Sequence, residues 1–269
     1  MYIDTHLHLD EPWLSDENHR QKAIHDITKH QIITFAQSCD IKSYKKILEY
    51  SEQSEFIFPS FGILPWYAHE YVDRFEEVRE LCEEALMLGE IGLDEKNARD
   101  KACIPHQRPL FEIFLETAEK HDMILNLHFR GTEDEGFEIL NSYNVKKPIF
   151  HFYSGSLDLM EKINDKGYYY SMGQMNLERV LGEPKDPIID KIRKIPDDLL
   201  LLEIDVLPRG QNFEVPSIVF VNIVNNIAKI RNTTSEEIEA LNQKNVVKLV
   251  GNDPKLKKII RLMESVPKT

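Results

Sequence analysis

The sequence predicts an α/β protein of the (β/α)8 TIM-barrel class, built as a single domain. Three observations carry that prediction. Short apolar, β-branched runs alternate with amphipathic helical stretches, repeating at roughly thirty-residue spacing. Eight strand-like runs can be read, and the first turn lacks the glycine-rich loop of a doubly wound sheet. The 269 residues, 42% hydrophobic, can bury one large core, and no low-complexity stretch, charge block or Pro/Gly-rich linker divides them. The barrel is expected over residues 1–251, with a short helix and tail at 252–269.

The first strand lies within residues 2–10, where apolar residues surround the polar series Asp4, His6, His8. The next segment, 16–30, carries Ala23, Ile24 and Ile27 on one side of a helix. Residues 32–38 form the second strand. Asp40 then caps a helix whose buried stripe is Ile41, Tyr44, Ile47 and Leu48. The third strand, 56–64, ends at Pro65-Trp66, and Phe75, Val78, Leu81, Cys82, Ala85 and Leu86 mark the third helix. Strand four is 87–93. Helix four packs Leu110, Phe111, Phe114, Leu115 and Ala118, strand five is 123–129, and a weaker helix covers 134–143. Strand six, 148–153, precedes Ser156-Leu157-Asp158, which opens the sixth helix. Residues 168–172 are strand seven, after which Pro184, Pro187 and Pro196 limit any helix. The unalternating run 199–206 suits a parallel strand covered on both faces. Pro216 opens a helix to about residue 230, Ser235 caps the next, and Gly251 ends it.

Composition narrows the partners. A net charge of −13 weighs against a broad basic face of the kind that tracks long nucleic acid. A phosphodiester substrate would have to be drawn by bound cations and a few local arginines. No run is long and apolar enough to span a membrane, no signal sequence is visible, and no obligatory protein partner is evident. Three cysteines without C-x-x-C spacing read as reduced thiols of a cytoplasmic protein.

Barrel enzymes place their sites at the C-terminal strand ends. Those ends here carry His6 and His8, Glu90, His128, His151 and Asp205. Four imidazoles and two carboxylates exceed the needs of one tetrahedral ion and suit two ions sharing a carboxylate. The imidazoles favour zinc or manganese (iron also suits them) over magnesium, which prefers oxygen ligands. Asp4, Asn126 and Glu203, two residues before a ligand, share its face one layer deeper and are expected to orient it. Arg130 sits one step toward the rim from His128, where it either holds a phosphate oxygen or forms a rim salt bridge.

Taken together, Asp4-Thr5-His6-Leu7-His8, Gly89-Glu90-Ile91-Gly92-Leu93-Asp94, Leu127-His128-Phe129-Arg130, His151-Phe152-Tyr153-Ser154-Gly155 and Leu202-Glu203-Ile204-Asp205 resemble the motifs of the TatD family of metal-dependent deoxyribonucleases. Gln107, Phe111, Pro216 and Asn245 fit the same pattern. The resemblance implies a two-metal hydrolase in which Glu90 bridges the ions, His6, His8 and Asp205 complete one site, and His128 and His151 complete the other. It implies a DNA or small phosphodiester substrate attacked by a metal-activated water, with Asp205 and Glu90 as catalytic residues. Three positions depart from the pattern. Leu64 stands where a histidine is usual, Ile204 replaces a threonine, and Glu95 replaces an aromatic residue. His69 lies five residues beyond Leu64 and reads as a surface residue. The alternative is an amidohydrolase-like enzyme cleaving a small amide, ester or lactone. Such barrels commonly bridge their metals with a modified lysine on strand four, and the nearest lysine, Lys96, lies past that strand.

Overall fold

A computed structural model describes residues 1–10, 13–173 and 187–265. Its eight strands are β1 (Ile3–Leu7), β2 (Ile33–Gln37), β3 (Ile57–Phe61), β4 (Met87–Asp94), β5 (Ile124–Arg130), β6 (Lys147–His151), β7 (Tyr169–Met172) and β8 (Leu200–Leu202). They lie in one sheet in sequence order, the strand arrangement of a (β/α)8 barrel. Beyond β8, residue 205 pairs in parallel with Leu7 of β1, so the first and last strand segments are neighbours. Ten α-helices follow in the described residues: α1 (Glu17–His30), α2 (Ile41–Gln53), α3 (Phe75–Glu84), α4 (Ile104–His121), α5 (Glu133–Asn141), α6 (Leu157–Asp165), α7 (Pro187–Lys194), α8 (Pro216–Arg231), α9 (Ser235–Val250) and α10 (Lys257–Ser265).

The chain forms two compact units. One comprises Met1–Ala36, Glu49–Phe58 and Ser171–Thr269, and the other comprises Gln37–Leu48 and Pro59–Tyr170. In the first, Ile3, Leu7, Leu9, Ile27, Phe35 and Phe220 are fully buried core side chains. Two asparagines of α9 tie that core to the strands. Asn242 donates to the Ile3 carbonyl and accepts from the Leu202 amide, and Asn245 donates to the carbonyls of Asp197 and Leu200. These bonds explain Asn245 as an anchor of the backbone entering β8. In the second unit the core is aromatic. Phe61 and Phe114 stand 5.7 Å apart, Phe111 meets Phe129 edge to face, and Phe150 is bordered by Tyr153 and Tyr170.

Several elements differ from the pattern read in the sequence. Leu48 is exposed and Tyr50 is buried in its place, because the stripe of α2 advances by three residues from Ile47. The cap of α9 is Thr234, not Ser235; the Thr234 hydroxyl accepts from the Glu237 amide while the Glu237 carboxylate accepts from the Thr234 amide. After β3 the chain turns into a 3-10 stretch over Pro65–Arg74. The eighth strand is only three residues long, for a reason given with the site. Of the proline-rich stretch after β7, Pro187 opens α7 and Pro196 follows its end, while Pro184 lies outside the described residues, as does the tail from 266. No described helix is long and apolar enough to cross a membrane.

Candidate metal centre

The first group of functional side chains sits in the first unit, at the end of β1. Alternation along the strand puts Asp4 and His6 on one face, and His8 follows one residue after the strand ends. His6 and His8 are fully buried, with their Nε2 atoms 3.2 Å apart and their rings edge to face. The Asp205 carboxylate lies 3.8 Å from His6 Nε2 and 3.9 Å from His8 Nε2, and it remains about a third exposed, with a side-chain accessibility of 36%.

The backbone fixes this triad. Asp205 donates its amide to the His6 carbonyl, and its own carbonyl accepts from the His8 amide. Its φ of 66° is left-handed, a conformation a non-glycine residue holds only where its surroundings impose it. The Asp4 carboxylate accepts from the amides of both His6, at 3.1 Å, and Ile204, at 3.0 Å. Ile204 thereby gives its amide to a side chain rather than to a strand, and the extended run stops. That is why Asp205 lies beyond β8 and not on it. Asp4 was expected to orient a histidine ring; it orients the two backbone segments that carry the ligands. Burial holds its carboxyl well above the ordinary carboxylate range, against the two amides that favour the ionised form. Glu203 is likewise buried, and its carboxylate accepts from the Ser171 hydroxyl.

The second group sits in the second unit. Glu90 lies in the middle of β4, His128 on β5 and His151 at the last position of β6, all buried. His128 Nδ1 is 2.5 Å from Glu90 Oε1, and His151 Nε2 is 3.7 Å from the same oxygen. The two imidazoles are nearly parallel, 6.2 Å between centroids. Glu90, His128 and His151 each offer a ligand atom within one cation-sized cluster. Two glycines make the close approach possible. A Cβ on Gly62 would stand 2.2 Å from the Gly89 carbonyl carbon, next to Glu90, and one on Gly92 would stand 2.0 Å from the His128 carbonyl oxygen.

Asp94 is the functional residue whose role was not read from the sequence. Its Oδ2 is 2.9 Å from His128 Nε2 and accepts from Trp66 Nε1 at 2.8 Å. Gln107 holds the Asp94 backbone on both sides, accepting from its amide and donating to its carbonyl. Asp94 faces His128 Nε2 and Glu90 faces Nδ1, so a cation taken by Nδ1 would leave the ring proton on Nε2, given to Asp94. Burial acts to raise the Asp94 pKa, but hydrogen bonds from His128, the Asn97 amide and Trp66 prevail and lower it to about 2. For His128 burial acts downward, and the two carboxylates prevail to move it upward. The signal for Asp94 was available: it closes β4 at its C-terminal end, where the other candidates were sought.

Around the second group, the Arg130 guanidinium donates to the Phe129 carbonyl at 2.8 Å and lies 6.0 Å from the Phe152 ring centroid. Among the described residues it forms no ion pair, so the rim salt bridge is not made. Leu64 is buried, its amide given to the Cys39 carbonyl, and His69 is half-buried, its Nε2 3.8 Å from Asp100.

The donor chemistry fits divalent cations. Two dry imidazole nitrogens 3.2 Å apart are both satisfied if their lone pairs turn to one cation, and the Glu90 group offers one carboxylate and two imidazoles. Glu90 lies mid-strand and not at the end of β4 where the sequence placed it, and a barrel carrying such groups on and just beyond its strands suits a metal-dependent hydrolase. The chain belongs to the family of TatD-related DNases, whose model matches residues 3–251. It is 24% identical over 244 residues to an uncharacterized metal-dependent hydrolase of Methanocaldococcus jannaschii, covering 82% of this chain and 94% of that one. It is 31% identical over 120 residues to the deoxyribonuclease Tat-D of Schizosaccharomyces pombe, a match spanning 44% of this chain and 36% of that protein. Among solved structures it resembles YJJV, a TatD homologue of Escherichia coli K12, with a TM-score of 0.77 at 22% identity, covering 92% and 97% of the two chains.

Proposed function

We propose that the protein is a phosphodiesterase acting on DNA or short phosphodiesters, with His6, His8 and Asp205 holding one divalent cation and Glu90, His128 and His151 holding a second. The observation that carries this reading is the paired triads, each made of imidazoles and a carboxylate and each pinned by a buried aspartate, Asp4 or Asp94. Zinc or manganese suits the imidazoles better than magnesium does. By the family resemblance Glu90 would be a catalytic carboxylate as well as a ligand, and the hydrolase domain would cover residues 1–251. Buried thiols, none in a disulfide among the described residues, support a reducing, cytoplasmic setting.

When bound, the cations supply an acidified water and positive charge opposite the phosphorus oxygens. The chain's own residues do the rest. Asp205, the partly exposed member of its triad, is the proton acceptor facing substrate. Its left-handed backbone and its two backbone bonds to residues 6 and 8 fix where that proton goes. Arg130, held by the Phe129 carbonyl and unpaired with any described carboxylate, donates to a phosphate oxygen. Asp94 keeps the proton of His128 on Nε2 and so keeps Nδ1 available.

The test is purification, metal analysis, and assay on single-stranded DNA, RNA and bis(p-nitrophenyl) phosphate. Metal-dependent phosphodiester cleavage that is lost in Asp205→Asn, by about a hundredfold or more, is the expected result. Hydrolysis of an amide or lactone with no phosphodiester cut would overturn it in favour of an amidohydrolase-like activity.

A further inference from the structure

We propose that Trp66 is a positioning residue of the second triad: its indole N–H restrains the Asp94 carboxylate and so fixes the His128 ring that offers a ligand nitrogen. The inference rests on the two-cation part of the reading above and adds to it a residue outside the ligand set. The loop after β3 is where this chain departs most from the family pattern, with Leu64 in place of a histidine. Leu64 is buried and gives its amide to the Cys39 carbonyl. The loop meets the triad two residues on, through Trp66. Its ring stands edge-on to His128, with 5.6 Å between centroids and 85° between planes.

The restraint falls mainly on one oxygen. Asp94 Oδ2 is 2.9 Å from His128 Nε2, and it accepts from Trp66 Nε1 at 2.8 Å and from Asn97 Nδ2 at 3.1 Å. Asp94 Oδ1 accepts from the Asn97 amide at 2.7 Å. Asn97 belongs to the same turn as Asp94, so it cannot fix that turn against the rest of the protein. Gln107 holds the Asp94 backbone and not its carboxylate. Among the described residues, therefore, Trp66 is the one donor outside the turn, His128 apart, that sets how the carboxylate is rotated. Trp66 can do this because it is itself held. Pro65 opens the 3-10 stretch with a preset φ, Tyr67 donates its amide to the Leu64 carbonyl, and the buried Tyr71 accepts the Ile41 amide on its hydroxyl. An indole N–H only donates, so the contact has one sense, with the carboxylate as acceptor. A histidine or a side-chain amide in its place can turn an acceptor toward Asp94; an indole cannot. A ligating histidine is oriented by the partner of its other nitrogen, so a swing of the Asp94 carboxylate is passed on to Nδ1, the nitrogen that faces Glu90.

The experiment measures zinc affinity by competition with a chromophoric chelator in a His6→Ala, His8→Ala background, which leaves the second triad to load. Trp66→Phe keeps a ring and loses the N–H. Trp66→benzothienylalanine keeps the bicyclic shape and loses the N–H alone, so it separates the two roles even where Trp66→Phe loosens the fold. Each is expected to weaken zinc binding about tenfold, the lower end for a group that orients a ligating histidine. Once Asp94→Ala has removed the carboxylate, Trp66→Phe is expected to change nothing further, a coupling that a packing role does not produce. Unchanged affinity in the benzothienylalanine chain overturns the proposal. Tighter binding overturns it too, by making the indole a drain on the charge that Asp94 lends to His128. Equal losses from Trp66→Phe with and without the Asp94 carboxylate have the same force. If the background chain with Trp66 intact binds no zinc, the two-cation reading and this proposal fall together. Weakened binding in an enzyme that cuts no phosphodiester keeps the proposal and removes the phosphodiesterase reading alone.

Discussion

At the scale of single residues, two buried aspartates stand behind the proposed ligands. Asp4 receives two backbone amides and Asp94 receives a ring nitrogen, an indole and a backbone amide. The two devices make different predictions. Asp94→Asn keeps an acceptor for Trp66 but removes the charge that fixes the His128 tautomer. The metal affinity of the Glu90, His128 and His151 group should fall by about 10- to 100-fold, read by competition with a chromophoric chelator; unchanged affinity would remove Asp94 from the site. Glu90→Gln takes away the one carboxylate of that triad, and elemental analysis should show its ion lost. Loss of both ions is the outcome that fits the bridging role implied by the family resemblance, and retention of both would sink the assignment of Glu90. Imidazoles and acids at strand ends are legible in a sequence because alternation fixes their face. The partners of those residues are less so: nothing in the spacing of Asp4 says that it will take a backbone amide 200 residues away rather than a ring beside it.

At the scale of elements, the strand–helix order and the buried faces of most helices were legible from periodicity. What was not legible was where competing local bonds redirect a boundary. Thr234 and Ser235 are equivalent capping residues by type, and only the position of Glu237, three residues after Thr234, separates them. Leu48 follows the apolar rule yet lies on the exposed side of α2, because the helix turns 100° per residue and Ile47 already occupies the core. The capping box is open to test. Thr234→Ala should cost about 1 kcal/mol and lower Tm by roughly 2–4 °C, measured by thermal melts with the metal content held constant. No shift would mean that the hydrogen bonds of Thr234 are replaced by water without cost.

At the scale of the whole molecule, a net charge of −13 and two clusters of buried imidazoles and carboxylates make cations the natural stabiliser. A site occupied at a hundred times its Kd contributes about 2.7 kcal/mol. Zinc or manganese should therefore raise Tm, and a chelator should lower it; a melt indifferent to both would contradict metal binding by the folded chain. The seam between the first and last strand segments has a further consequence, in time rather than in space. Thr5 bonds to the Leu202 carbonyl 197 positions on, and the Asp4 carboxylate reaches the Ile204 amide at a separation of 200. His6 and His8 leave the ribosome ahead of Asp205 by 199 and 197 residues. At a synthesis rate of roughly 5–20 residues per second, the two histidines wait on the order of ten to forty seconds for their third partner. The first triad is thus a marker of completed synthesis: a chain stalled before residue 205 carries the Asp-x-His-x-His motif without the carboxylate that completes it.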